Sequence, residues 1–263
     1  MDKRYLEYSA VVITGGSSGI GASFLTFLLN LSQKVLICNL SRRKPKLFEG
    51  KERCYHFECD LSKRELIEEV VPKINQLLID QMPQGKILLI NNSGFGEYGA
   101  FQDTNLSNQL NMIDVNVCAV VHLTGLMLPL IIKRGGGIIN VSSGVGFQPT
   151  PYMATYGATK SFVLDWTLAI REDLRDKGVR VLALCPGVTQ SSFFARAGFS
   201  PEKESRQPAE EVVEVAWKAF EADKGFVIPG FRNKVMICIG KFFPLCLLTR
   251  ISGMIVKRFR KSK

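Results

Sequence analysis

Short apolar runs and longer helical runs alternate along this chain from residue 9 to residue 228. Residues 9–14, 34–40, 53–59, 86–90, 138–141, 179–185 and 225–228 read as strands, most of them rich in Val, Ile and Leu. Brief apolar runs of this kind fit strands buried on both faces. Between them, residues 20–31, 63–81, 106–134, 152–177 and 208–222 predict helices. Ser62 stands where it can cap the second helix. Pro208 opens the last, where its missing N–H costs nothing. No internal repeat and no second domain interrupts the pattern. The alternation predicts an α/β fold, a single doubly wound parallel sheet of about seven strands with helices on both faces.

A length of 263 residues and a hydrophobic content of 46% suit one such domain with a full core. The seven cysteines are scattered without a C-x-x-C pair, and several fall in apolar runs, which predicts buried free thiols in a reducing compartment. Residues 1–7 carry no apolar signal region, so a cytoplasmic location is expected. The net charge of +10 is uneven. Nine of the 34 basic residues and none of the 24 acidic ones lie beyond Gly225, leaving the first 225 residues at +1. A near-neutral body with a charged tail argues against a nucleic-acid partner.

Candidate chemistry lies where strands end. The first strand runs into Gly15-Gly-Ser17-Ser18-Gly19-Ile20-Gly21, and a helix follows. This is the layout of a phosphate-binding loop. Glycine lets the backbone approach a pyrophosphate, and the helix N-terminus directs N–H groups at it. The second strand leads into Ser41-Arg42-Arg43 and Lys44, with no acid. An acid there would hold the ribose hydroxyls of NAD, whereas an arginine accommodates the 2′-phosphate of NADP. NADP(H) is therefore the expected cofactor, with Arg42 and Arg43 equal candidates for the contact. Asp60-Leu61 ends the third strand, Asp60 being either a turn residue or a contact to the adenine edge. Asn91-Asn-Ser93-Gly94 ends the fourth strand and Pro186-Gly187-Val188-Thr189 the sixth. Carboxyl ends of strands are where an open parallel sheet binds ligands.

Asn116 sits amid apolar residues of a helix, either as a satisfied core amide or as a site residue. His122 on the same helix is expected to pack rather than to ligate a metal. Tyr156 and Lys160 are one turn apart on a helix face. An ammonium so placed favours the phenolate and is expected to lower a tyrosine pKa that is ordinarily about 10. Such a pair can give a proton to a developing alkoxide or take one from an alcohol.

As a set, T-G-G-S-S-G-I-G at 14–21, D-L at 60–61, N-N-S-G at 91–94, Asn116, S-S-G at 142–144, Y-G-A-T-K at 156–160 and P-G-V-T at 186–189 resemble the short-chain dehydrogenase/reductase family, a Rossmann fold, over residues 8–230. Ser93, where that family usually has Ala, is the one departure. The stretches A-T-Y-G-A-T-K-S-F-V and C-P-G-V-T-Q-S-S-F-F look like the branch holding hydroxysteroid dehydrogenases and long-chain 3-oxoacyl reductases. The resemblance implies Tyr156 as general acid/base, with Lys160 lowering its pKa and binding the nicotinamide ribose. It implies that Ser143, thirteen residues before the tyrosine, hydrogen-bonds the substrate carbonyl oxygen, and that Asn116 holds a water relaying protons to Lys160. Val188 and Thr189 would hold the nicotinamide carboxamide. Related enzymes pair two long helices across a two-fold axis, so a homodimer or homotetramer is expected. The expected function is NADP(H)-dependent interconversion of a ketone and a secondary alcohol on a small apolar substrate, lipid-like, acyl or steroid-like. The alternative is an NADP-binding regulatory or scaffold protein, for which chemistry would not demand all four catalytic residue types.

Residues 1–231 make the expected NADP-binding catalytic domain. It includes a substrate lid near 190–207, polar and irregular apart from Phe193 and Phe194. Residues 232–263 form a basic tail. Lys241, Pro244 and Arg250 interrupt its apolar stretch, which argues against a spanning helix. From Leu245 a helix would put Leu248, Ile251, Ile255 and Phe259 on one face and Arg250, Gly253, Lys257, Arg260 and Lys261 on another. That is the pattern of a helix lying in a membrane interface. Peripheral contact with the cytosolic face of a membrane is the expectation. A cover over the substrate pocket or the subunit interface is the alternative.

Overall fold

The structure is a computed structural model that describes residues 8–191, 193, 197–198 and 206–257. One parallel sheet holds β1 (Tyr8–Thr14), β2 (Leu36–Ser41), β3 (Cys54–Glu58), β4 (Lys86–Asn91), β5 (Gly136–Val141), β6 (Val179–Leu184) and β7 (Phe226–Val227). Their spatial order is β3-β2-β1-β4-β5-β6-β7. The order reverses between β1 and β4, and the crevice at their carboxyl ends is where such a sheet takes a ligand.

Helices cover both faces, as the alternation predicts. On one side α1 (Gly19–Leu31) packs beside α6 (Ala209–Glu221) over Val11, Ile13, Ile37 and Leu88. Phe220 of α6 lies so close to β5 that a Cβ built on Gly137 would sit 2.3 Å from its ring, so only glycine fits there. On the other side α2 (Arg64–Gln81), α4 (Ala119–Arg134) and the end of α5 (Ala154–Asp173) enclose Val12, Cys38, Leu89 and Ile138. Helices α1 to α6 lie in the connections between parallel strands, which need a crossover rather than a hairpin.

The expected helix at 106–134 is not uniform. It begins as α3 (Leu106–Ile113), passes through one π-helical turn at Asp114–Cys118, and continues as α4. A π turn inserts one residue into the i→i−4 ladder and so rotates the face presented on either side of it. Leu106–Arg134 is long and apolar enough to cross a membrane by length and composition. Here Leu123, Met127 and Ile131 are instead buried in the core. After β7 the chain forms α7 (Phe231–Gly240) and α8 (Leu245–Lys257). All seven cysteines are free.

Candidate active site

A cleft of about 620 Å³ runs across the carboxyl ends of the strands, and most residues singled out in the sequence line it. At one end, β1 turns through Gly15 at φ +72° and Gly19 at φ +57°, backbone that L side chains rarely adopt. Ser18 occupies the cap position of α1 without its side chain capping the helix, which leaves first-turn N–H groups for a ligand. Gly15, Ser17, Ser18, Gly19 and Ile20 line the cleft. Gly21 does not. A Cβ there would lie 2.4 Å from Gly15 O and 2.5 Å from Asn92 Nδ2, so this glycine serves close packing of helix on strand rather than ligand contact.

Ser41, Arg42 and Arg43 line the same end, with both guanidinium-bearing residues exposed. Ser41 Oγ donates to Arg43 O at 2.8 Å and so shapes the basic turn. Asp60 and Leu61 line the cleft as well. Asp60 takes part in a turn there, accepting from Ser62 N at 3.0 Å and Ser62 Oγ at 2.9 Å. Those two bonds, with Arg42 and Lys63 nearby, outweigh burial and hold its carboxyl below the usual range. Glycine loop, helix start and two arginines with no opposing acid on β2 suit an anionic dinucleotide carrying an extra phosphate.

Asn91 corrects the sequence reading. Its side chain is buried away from the cleft and donates to Thr124 Oγ1 at 2.9 Å and Asn140 Oδ1 at 2.8 Å. Consecutive residues at a strand end face opposite sides. It is therefore Asn92 that lines the cleft with Ser93 and Gly94, its Nδ2 donating to Thr14 O at 2.9 Å.

The other end gathers Ser143, Tyr156 and Lys160. Alternation again separates neighbours. Both serines line the cleft, but Ser142 Oγ is spent on Lys160 O at 2.6 Å, whereas Ser143 Oγ accepts from Val145 N at 3.4 Å and lies near enough to Tyr156 to favour its phenolate. Asn116, in the π turn, is wholly buried. Its Oδ1 accepts from Phe95 N at 3.1 Å, and its Nδ2 donates to Phe95 O at 3.0 Å and Thr159 Oγ1 at 3.1 Å. It is thus a satisfied amide that also borders the site. A Cβ built on Gly94 would meet Asn116 Oδ1 at 3.0 Å and Lys160 Nζ at 3.2 Å.

The electrostatics differ from expectation. Burial pushes the Tyr156 hydroxyl up to about 12, against a lowering by Ser143. Burial pushes the Lys160 ammonium down to about 8. Lys160 does not reach the phenol oxygen. Its Nζ donates to Val141 O at 2.8 Å and stands 5.9 Å from the Tyr156 ring centroid. Spacing places both groups on one face, but desolvation, not the neighbour's charge, dominates each of them.

Pro186, Gly187, Val188 and Thr189 line the cleft beside this group. Of the expected lid at 190–207, residues 192, 194–196 and 199–205 lie outside the described residues. Phe193 packs on Tyr156 with ring centroids 5.2 Å apart. The sequence did not assign Met236, Ile237 and Val256 of the tail to the pocket, yet all three line it. Tyr98 Oη donates to Val256 O at 3.1 Å, and a Cβ on Gly253 would touch Pro151 at 3.2 Å. The expected face is turned. Helix α8 docks through Ser252, leaving Ile255 of the expected apolar stripe 47% exposed. Phe259, Arg260 and Lys261 lie outside the described residues. His122 sits 3.3 Å from Glu68 and away from the cleft, and no metal cluster occurs among the described residues.

The short chain dehydrogenase family model matches residues 9–200. Sulfoacetaldehyde reductase 2 of Chromohalobacter salexigens is 32% identical over 194 residues, 70% of this chain and 73% of that one. Human very-long-chain 3-oxoacyl-CoA reductase is 33% identical over 190 residues, 66% of this chain and 57% of its own length. Among solved structures, a short-chain dehydrogenase from Sphingobium yanoikuyae in complex with NADPH is similar with a TM-score of 0.75 at 24% identity, covering 97% of each chain. The bulky-bulky ketone specific alcohol dehydrogenase of Comamonas testosteroni is similar with a TM-score of 0.71 at 25% identity, covering 90% of this chain and 96% of that one. With the glycine loop, the sheet order and a family match over most of its length, this chain belongs to the short-chain dehydrogenase/reductase family of oxidoreductases.

Proposed function

We propose that the protein is an NADPH-dependent carbonyl reductase acting on an apolar ketone. The observation that carries this is the convergence of Ser143, Tyr156 and Lys160 at one end of a cleft whose other end presents a glycine loop and Arg42–Arg43. Gly15, Ser17–Ile20, the two arginines and Thr189 would hold the cofactor, which when bound supplies a hydride to the carbonyl carbon. The chain's own residues handle the oxygen. Ser143 donates to it, and Tyr156 passes its proton as negative charge develops there. Lys160 stabilises the resulting phenolate by charge. Asn116 Oδ1, which like Lys160 Nζ lies against Gly94, would hold a water that returns a proton.

Apolar substrate preference is supported by Phe193, Met236, Ile237 and Val256 around the cleft. Two relatives also act, by name, on a very-long-chain 3-oxoacyl-CoA and on bulky-bulky ketones. Turnover of NADPH against ketones of increasing chain length should rise in kcat/KM with length, gaining about fourfold per buried methylene. A scaffold protein would consume no NADPH with any of them.

The tail supports a second element of the reading, peripheral membrane contact. Phe242 is 89% exposed, Phe231 81% and Met236 63%, and the same stretch of chain carries Arg232, Lys234, Lys241, Arg250 and Lys257 with no acidic residue. Exposed apolar side chains among cations suit an anionic leaflet, each cation near the surface contributing about 1 kcal/mol. Covering the pocket and touching a membrane are then compatible roles of one tail. Full-length protein should float with anionic vesicles at low salt and a chain ending at Phe231 should not; if both sediment, membrane contact is excluded. Exposed Leu110, Val121 and Phe162 on α3, α4 and α5 support pairing of these helices in a homodimer or homotetramer. Light scattering on the same samples should exceed the 29.3 kDa monomer, and a monomer mass would refute assembly.

A further inference from the structure

The glycine loop and the arginine turn are tied together from behind the cleft wall. Asn39 of β2 is completely buried, a lone amide in an apolar strand. Its Oδ1 accepts from Gly16 N at 2.8 Å. A backbone N–H can only donate, so this bond settles which end of the amide is oxygen. Nδ2 therefore faces Ser41 Oγ at 2.9 Å and His56 Nδ1 at 3.0 Å. Ser41 Oγ hands the chain on to Arg43 O. There is no slack at the loop: a Cβ on Gly16 would lie 2.6 Å from Asn39 Oδ1.

We propose that Asn39 is a positioning residue that holds the phosphate loop and the Arg42–Arg43 turn in register for the dinucleotide, and that protonation of His56 releases this tie. The proposal rests on reading the cleft as an NADP(H) site. Neither Asn39 nor His56 lines that cleft, so both act through Gly16 and Ser41.

The chemistry follows from donor and acceptor types. Nδ1 of His56 can receive the Asn39 hydrogen only while it carries no proton, so this imidazole is neutral and protonated on Nε2. A second proton would set two donors against each other at 3.0 Å. Asn39 would then have to turn, and the Gly16 N–H would lose its acceptor. Four influences act on His56. Burial, the largest, and Lys44 favour the neutral ring, whereas a hydrogen bond with the Asn39 backbone and the charge of Glu58 favour the protonated one; burial prevails, so the ring titrates below its ordinary value. The bound state needs the neutral ring. Affinity is therefore full above the ordinary histidine range and declines as pH falls below it.

The test uses NADP⁺ dissociation constants from calorimetry between about pH 5 and pH 8. Wild type is compared with Asn39→Ala and with His56→Asn, whose carboxamide oxygen offers an acceptor near the Nδ1 position that does not titrate. The 2′-phosphate itself titrates near pH 6, but equally in every protein, so the difference between proteins is the readout. At neutral pH, Asn39→Ala should bind about tenfold more weakly with kcat at saturating NADPH within about twofold. On acidification the wild type should lose about fivefold more affinity than His56→Asn. Unchanged binding by Asn39→Ala, or superimposable pH profiles, would overturn the proposal. Should Asn39→Ala not fold, the two pH profiles decide alone. A wild type that binds no NADP⁺ at any pH would refute the cofactor reading, and this inference with it.

Discussion

Replacing Tyr156 with Phe is expected to lower ketone reduction at least about a hundredfold while nucleotide binding stays within about twofold. The variant keeps the ring and its contact with Phe193, so packing is preserved and only the hydroxyl is lost. With its pKa pushed up to about 12, that hydroxyl is fully protonated at neutral pH and available as an acid. The same shift makes its conjugate base scarce, which disfavours alcohol oxidation at neutral pH. Lys160 sets the upper limit. Its pKa, pushed down to about 8, means that the cation beside the nascent phenolate is present below that pH and lost above it. Reduction should therefore be level through neutrality and fall as pH rises through about 8. If Tyr156→Phe retains more than about 5% of wild-type turnover, well above what loss of a general acid allows, Tyr156 is not the acid.

Cofactor preference carries the second large effect. Wild type should favour NADPH over NADH by at least about tenfold in kcat/KM, or about 1.4 kcal/mol. The Arg42→Ala, Arg43→Ala double variant should lose most of that preference through a raised KM for NADPH. Both arginines line the cleft beside Ser41, and β2 ends without an acid that would repel a 2′-phosphate. Asp60, kept ionised by two hydrogen bonds from Ser62, offsets part of the charge of Arg42 alone. Arg42 also stabilises the Asp60 carboxylate, so Arg43 is the less engaged cation of the two. Equal use of both nucleotides by the wild type would refute the assignment.

Periodicity and residue spacing are local properties, and what depended on them alone was legible in the chain. The apolar runs located all seven strands, with ends within one or two residues of the observed ones. Alternation of strand and helix implied the parallel sheet, because parallel pairs need a crossover. The glycine run at 15–21 announced a loop between strand and helix, and the four-residue step from Tyr156 to Lys160 placed both on one face of α5.

Other features depend on what lies across space. Whether Asn91 or Asn92 meets the cleft turns on a one-residue register that places Asn91 against Thr124 and Asn140, residues far along the chain. The π turn at Asn116 is anchored by Phe95 and Thr159 from other segments, so nothing within the helix sequence marks it. The pKa values of Tyr156 and Lys160 follow from burial, which spacing does not report, and so the phenol is pushed up where a lowering was expected. The docking face of α8 was likewise decided by Pro151 and Tyr98 on the body, not by its own apolar stripe. The residues themselves determined the fold, the glycine loop and the chemical types available to the site. Tertiary structure alone decided which of those side chains meet, which are desolvated, and how the tail closes over them, because burial and contact are set jointly by segments distant in sequence.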